Sequence, residues 1–215
     1  MNSRRNVVKA LGLGVPALAL AANAAAKAPV AADPNNPMLL ACERPADSKL
    51  AKRFPQVLVQ DQHGAKFWFY ENLIQDKLVL LNFASLDGEQ AYPIIDNMVK
   101  VQEMLGDRLG DDVHIYTVTT KPEVDTAESL KQYAEAKGAR WQFLNGDPES
   151  IRKILMAFNV MGSIHGLTWV GNQRTGRWLT KPSRVQPIFI AEAVGLLSTG
   201  KHHKPFLIDM RSTIA

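Results

Sequence analysis

The sequence predicts an α/β protein, a three-layer sandwich with a central, mostly parallel sheet and β-hairpins at its periphery. Three observations carry that reading. Strand-length apolar runs alternate with segments of helical spacing from about residue 50 to about residue 200. Leu78 to Phe83 is apolar except for Asn82, the pattern of a strand covered on both faces. A pair of strand-like runs around a turn stands at each end of the alternation.

Taken in order, Val57–Gln60 and Lys66–Tyr70 flank Asp61-Gln62-His63-Gly64 as a hairpin, with His63 an ordinary turn residue. The central strand follows, then a polar loop from Ala84 to Tyr92, and Pro93 is placed to open a helix. Ile94, Met98, Val101 and Leu105 recur at helical spacing, which assigns Met98 and Met104 to a helix rather than to a methionine cluster for copper. Gly106 or Gly110 ends that helix. Val113–Thr119 is the next strand, and Thr126–Lys137 a helix capped by Asp125 or Thr126 and stopped by Gly138. Trp141–Leu144 is a short strand, and Asp147-Pro148-Glu149 starts a helix with a cap, a first-turn proline and a first-turn acid. His165–Gly171 and Arg177–Thr180 form a second hairpin, and Pro187–Ser198 is a closing apolar helix.

The ends of the chain read differently. Residues 1–26 carry Ser3-Arg4-Arg5, Lys9, a weakly apolar stretch interrupted by Gly12, Gly14 and Pro16, and Ala24-Ala25-Ala26. That is the pattern of a twin-arginine export signal, and it implies a periplasmic protein with no stable membrane anchor after processing. Residues 27–49 are a leader rich in Ala, Pro and Asn, residues 50–200 the folded domain, and residues 201–215 a basic and mixed tail. Of 25 basic residues, Arg4, Arg5 and Lys9 lie in the signal, leaving 22 against 21 acidic residues. So balanced a charge gives no footprint for nucleic acid.

The loop where the central strand ends holds no Cys, His or Met. Asp87, Glu89 and Tyr92 are its reactive side chains, and the two carboxylates could pair as acid and base. The single Cys, Cys42, lies in the leader, so no intramolecular disulfide or dithiol cycle is available. His165 begins a strand, with Met161 on its approach, and His202-His203 stand in the tail.

Arg53-Phe54-Pro55, Phe69 to Ile74, Leu81-Asn82-Phe83, Val101 to Arg108, Lys121 to Thr126, Tyr133-Ala134-Glu135 and Phe143 to Gly146 together resemble the Sco/SenC family over about residues 53 to 200. The resemblance implies a thioredoxin-like fold and a link to copper delivery to cytochrome c oxidase or to thiol redox in that pathway. It implies copper held by Cys-x-x-x-Cys just before a Pro, with one His on a later hairpin; thiolates suit soft Cu(I). Anchored on Pro93, the two Cys positions fall on Gly88 and Tyr92, and the His position falls beside His165, which is the one metal ligand carried over.

Three readings follow. The chain is an exported accessory or binding protein without cofactor, copper or disulfide chemistry, whose periplasmic partners include respiratory oxidase assembly components. Alternatively it binds copper at a site rebuilt around His165, with Met161 or the loop carboxylates. Third, it is an enzyme, either a thiol enzyme using Cys42 or one pairing Asp87 and Glu89 as acid and base; the sequence does not assemble Ser85, His165 and Asp87 into a triad. No enzyme activity is expected under the first two, and Trp68 and Trp169 are candidate exposed aromatics for a partner contact.

Overall fold

The central feature is a seven-stranded sheet in the order β2-β1-β5-β4-β3-β6-β7. A computed structural model describes residues 53–161 and 164–199, and of Ile164 and His165 the backbone alone. The expected signal, leader and tail, with Cys42 and His202-His203, lie outside the described residues. Strand β1 (Leu58–Asp61) pairs antiparallel with β2 (Lys66–Trp68) as the first predicted hairpin, and antiparallel with β5 (Gln142–Asn145) on its other side. The second hairpin is β6 (Ile164–Asn172) with β7 (Arg177–Pro182). Between them β3 (Leu78–Ala84) runs parallel to β4 (Val113–Thr119), which runs parallel to β5. The sheet is less parallel than the alternation of strands and helices suggested: parallel pairing is confined to these three central strands, and each hairpin adds antiparallel neighbours.

All seven residues of β3 are buried, and both faces of the strand carry a core. On one face Leu78 and Leu80 pack with α2 (Ile95–Leu105), α3 (Ala127–Lys137) and α5 (Pro187–Leu197) through Met98, Leu130 and Val194. On the other, Val79, Leu81 and Phe83 meet α4 (Pro148–Ala157) and the irregular helical turn Phe69–Ile74. That second layer is aromatic: Phe158 lies 5.4 Å from both Phe83 and Trp169 and 6.0 Å from Phe54.

Local signals account for most boundaries. Thr126 and Asp147 cap α3 and α4 by accepting the N–H groups of Ser129 and Ser150. Gly138 closes α3 at φ 68, a conformation that favours glycine. At Gly171 the reason is space, because an added Cβ would lie 2.2 Å from the Trp178 ring. Two expectations needed correction. Phe69 and Tyr70 leave the strand for a wide helical turn, and Pro93 stands ahead of the first residue of α2, with Ile94 as its N-cap. No described helix is long and apolar enough to cross a membrane.

Candidate functional site

Strand β3 ends at Ala84, at the C-terminal end of the parallel strands, and the next nine residues are not the open loop expected. Leu86–Ala91 is a short helix, α1, capped by Ser85, whose hydroxyl accepts the Gly88 N–H at 3.2 Å and donates to Asp87 at 2.6 Å. The Leu86 N–H points at the Asp125 carboxylate, 3.3 Å away, so the first turn finds an acceptor from the loop after β4. Of the two residues expected to cap α3, Thr126 does so, and Asp125 turns back to hold α1.

Successive helical residues step about 100° around the axis, so side chains two apart point roughly opposite ways. Asp87 faces outward and pairs with Lys121. Hydrogen bonds from Lys121 and Ser85 bring its carboxyl down to about 2. Glu89 faces inward and is 5 % exposed. Its carboxylate accepts the N–H groups of Ile94 (3.0 Å) and Ile95 (3.0 Å) at the start of α2, and the Tyr133 hydroxyl of α3 (3.2 Å). Burial pushes the Glu89 carboxyl up against the pull of those donors, and burial together with Glu89 pushes the Tyr133 phenol up. Burial likewise raises Asp125, which accepts the Thr119 hydroxyl. The acid–base pair envisaged for Asp87 and Glu89 is therefore not assembled: one is tied to a lysine outside, the other to backbone inside.

Tyr92 ends α1, donating its backbone N–H to the Gly88 carbonyl at 2.9 Å. Its side chain reaches β6, where a Cβ added at Gly166 would sit 3.5 Å from the phenol oxygen. Over its ring lies the Arg184 guanidinium, 5.0 Å from the centroid. Opposite, β3 and β6 lose register: Leu81 pairs with Trp169 and Phe83 with His165, leaving Asn82 beside the irregularity. Asn82 is fully buried, and neither polar atom of its carboxamide has a hydrogen-bond partner among the described residues.

His165 thus begins a strand at this end of the sheet with its backbone paired to Phe83, while its side chain lies outside the described residues. Met161, on the approach, is 82 % exposed. Ser85 is buried and engaged with Asp87, so it presents no free nucleophile. Trp169 is not an exposed contact residue either: it stacks edge-on against Phe158 in the aromatic layer, and the ring nitrogens of Trp169 and Trp68 are both buried. Among the described residues, no group of three or more His, Cys, Asp and Glu side chains is placed to hold a metal ion. A two-thiolate copper site does not fit the residues present, since Gly88 offers no side chain and Tyr92 a hard phenol packed beneath a guanidinium. The signals that sequence reading missed were Tyr133, one position from buried Ala134 on α3, and Arg184, in the short connection before α5.

Comparison with known proteins bears on the fold. Residues 77–170 match the family model described as SCO1/SenC. No protein with a curated description matches the chain. Among solved structures, ScoI of Bradyrhizobium japonicum with copper bound is 19 % identical, with a TM-score of 0.55, covering 65 % of this chain and 96 % of that one. Yeast Sco1 with copper bound is 15 % identical, at 0.56, covering 70 % and 96 %. A SCO1/SenC family lipoprotein from Bacillus anthracis is 17 % identical, at 0.57, covering 67 % and 94 %. The resemblance read from the sequence is borne out: residues 77–170 match the SCO1/SenC domain model, and the solved structures that share this thioredoxin-like fold include Sco proteins.

Proposed function

We propose that this chain is an exported, Sco-like accessory protein that binds a protein partner and has given up copper and disulfide chemistry. The observation that carries the reading is the use made of the loop after β3. Where the family pattern puts two thiolates, Ser85, Asp87 and Glu89 are all engaged in holding the segment itself together. Such a segment is a fixed surface rather than a reactive one. The setting is the periplasm, reached by the twin-arginine route, and the partner belongs to respiratory oxidase assembly or to periplasmic redox homeostasis. No turnover of its own is assigned to it.

Copper binding around His165 is the second reading, favoured by the thioether of Met161, 82 % exposed on the approach to β6. Imidazole suits both oxidation states and thioether suits Cu(I). An anaerobic titration with Cu(I) and Cu(II) against a competing chelator, run beside His165→Ala, separates the two. Binding no tighter than that of scattered surface imidazoles supports the accessory reading. Stoichiometric binding below about 1 μM that His165→Ala abolishes would replace it with a rebuilt copper site.

A further inference from the structure

The loop network leaves one side chain at this end of the sheet conspicuously unspent. Arg184 is exposed, and among the described residues it has no hydrogen bond or ion pair beyond its contact with Tyr92. Its place is nevertheless fixed. The Asn97 amide of α2 donates to both carbonyls that flank it, Ser183 and Val185, each at 2.8 Å. Ser183 is fully buried, donates its N–H to the Gly166 carbonyl at 2.8 Å, and shares a 3.0 Å hydroxyl contact with Thr168. The ring beneath Arg184 is fixed too, since Tyr92 ends α1 and lies against Gly166.

Charge at this end of the sheet is one-sided. Glu89 and Asp125 are buried and turned to backbone donors, and Asp87 is neutralised by Lys121. The charges left along β7 and its exit are half-buried Lys181 and exposed Arg184, neither of which is paired among the described residues. An unpaired guanidinium stacked on an aromatic ring in a clamped loop is preorganised to accept a planar oxyanion through two parallel N–H groups.

We propose that Arg184, stacked on Tyr92, receives a carboxylate from an acidic segment of the partner protein, with Lys181 extending the contact along β7. The inference rests on the accessory reading, for which it names the chemistry of the partner surface. The guanidinium supplies a directional contact and the lysine a point charge, so binding is both salt-dependent and sensitive to the shape of the cation.

The test is fluorescence anisotropy of the full chain with labelled octaglutamate, in low and in physiological salt. Saturable binding is expected, weakened about tenfold by Arg184→Gln and by a smaller factor by Arg184→Lys, which keeps the charge but not the fork. Tyr92→Phe should retain binding and Tyr92→Leu lose part of it, because the ring rather than the hydroxyl supports the cation. Lys66→Gln on β2, at the opposite edge of the sheet, removes one equal charge and should change nothing. The proposal is overturned by absence of saturable binding, by equal affinity in Arg184→Gln, or by an equal loss in Lys66→Gln, which would reduce the effect to net charge. Displacement by inorganic phosphate at the same concentration of charge would also overturn it, by assigning Arg184 to a small anion. Tight copper binding through His165 beside intact octaglutamate binding would sink the accessory reading alone, and metal-free protein that ignores octaglutamate would sink this one alone.

Discussion

Strand β3 and the short helix α1 that follows it are joined end to end but held by different forces. All seven side chains of β3 are buried, and most are apolar contacts in one of the two cores. In α1 it is hydrogen bonds from neighbouring loops and helices that fix the segment: Asp125 from the β4 exit, the N-terminus of α2, Tyr133 of α3 and Lys121. The strand is a general solution to burial, whereas the helix depends on a few polar partners, each of which has to be present. Site chemistry can therefore be replaced in α1 while the sheet that carries it stays the same.

The comparison breaks most visibly at Phe83. Fully buried against Phe158, it should cost about 3–5 kcal/mol on replacement by Ala, measured by urea unfolding. A loss no larger than that of a surface residue would mean that β3 is not the anchor described. Glu89→Ala comes next. It strips acceptors from two backbone N–H groups and a phenol, at a cost of about 1–3 kcal/mol. Amide exchange should quicken in the first turn of α2 while β3 stays protected, and uniform quickening along the chain would contradict a local role.

A finer distinction lies in pH. The Glu89 carboxyl is raised above its ordinary 4.5, so its contribution to stability is fully present below 4.5 and is lost as pH rises through the raised value. Asp87 runs the other way: its contribution is present above 3.8 and lost only as pH falls through about 2. Relative to Glu89→Gln, the wild-type chain should thus gain stability on mild acidification, read from urea midpoints across a pH series. A difference that stays flat would remove Glu89 as the titrating group. The smallest effect is expected from Lys121→Ala, since its pair with Asp87 is half exposed and screened by solvent. A clearly resolved drop in melting temperature would show that this outer contact matters as much as the inner one.

How much was legible in the sequence follows the same division. The apolar run of β3, the caps at Thr126 and Asp147 and the stop at Gly138 are local signals, and each lies where the residues put it. The helix at Leu86–Ala91 was not legible, because a six-residue segment with a central glycine has little intrinsic helicity and owes its form to Ser85 and Asp125. Nor was the inward turn of Glu89: two carboxylates in a presumed loop look alike, and only helical phase separates the one facing water from the one facing α2. Arg184 was hidden for a third reason. Its neighbour Tyr92 is ninety-odd positions away, brought close by the β6–β7 hairpin.

The strand order bears on how the chain acquires its structure during synthesis. β1 finds its second partner in β5, and the bonds that seat this edge, such as the one from the Phe143 N–H to the Gln62 side chain, join residues 81 positions apart. Until β5 has left the ribosome, β1 and β2 form at best an isolated hairpin, which is marginally stable by itself. Closure of this edge is therefore a late, high-contact-order event. A chain interrupted before residue 142 would leave Val59 and its neighbours without a home, a natural place for chaperones to hold and for proteases to cut.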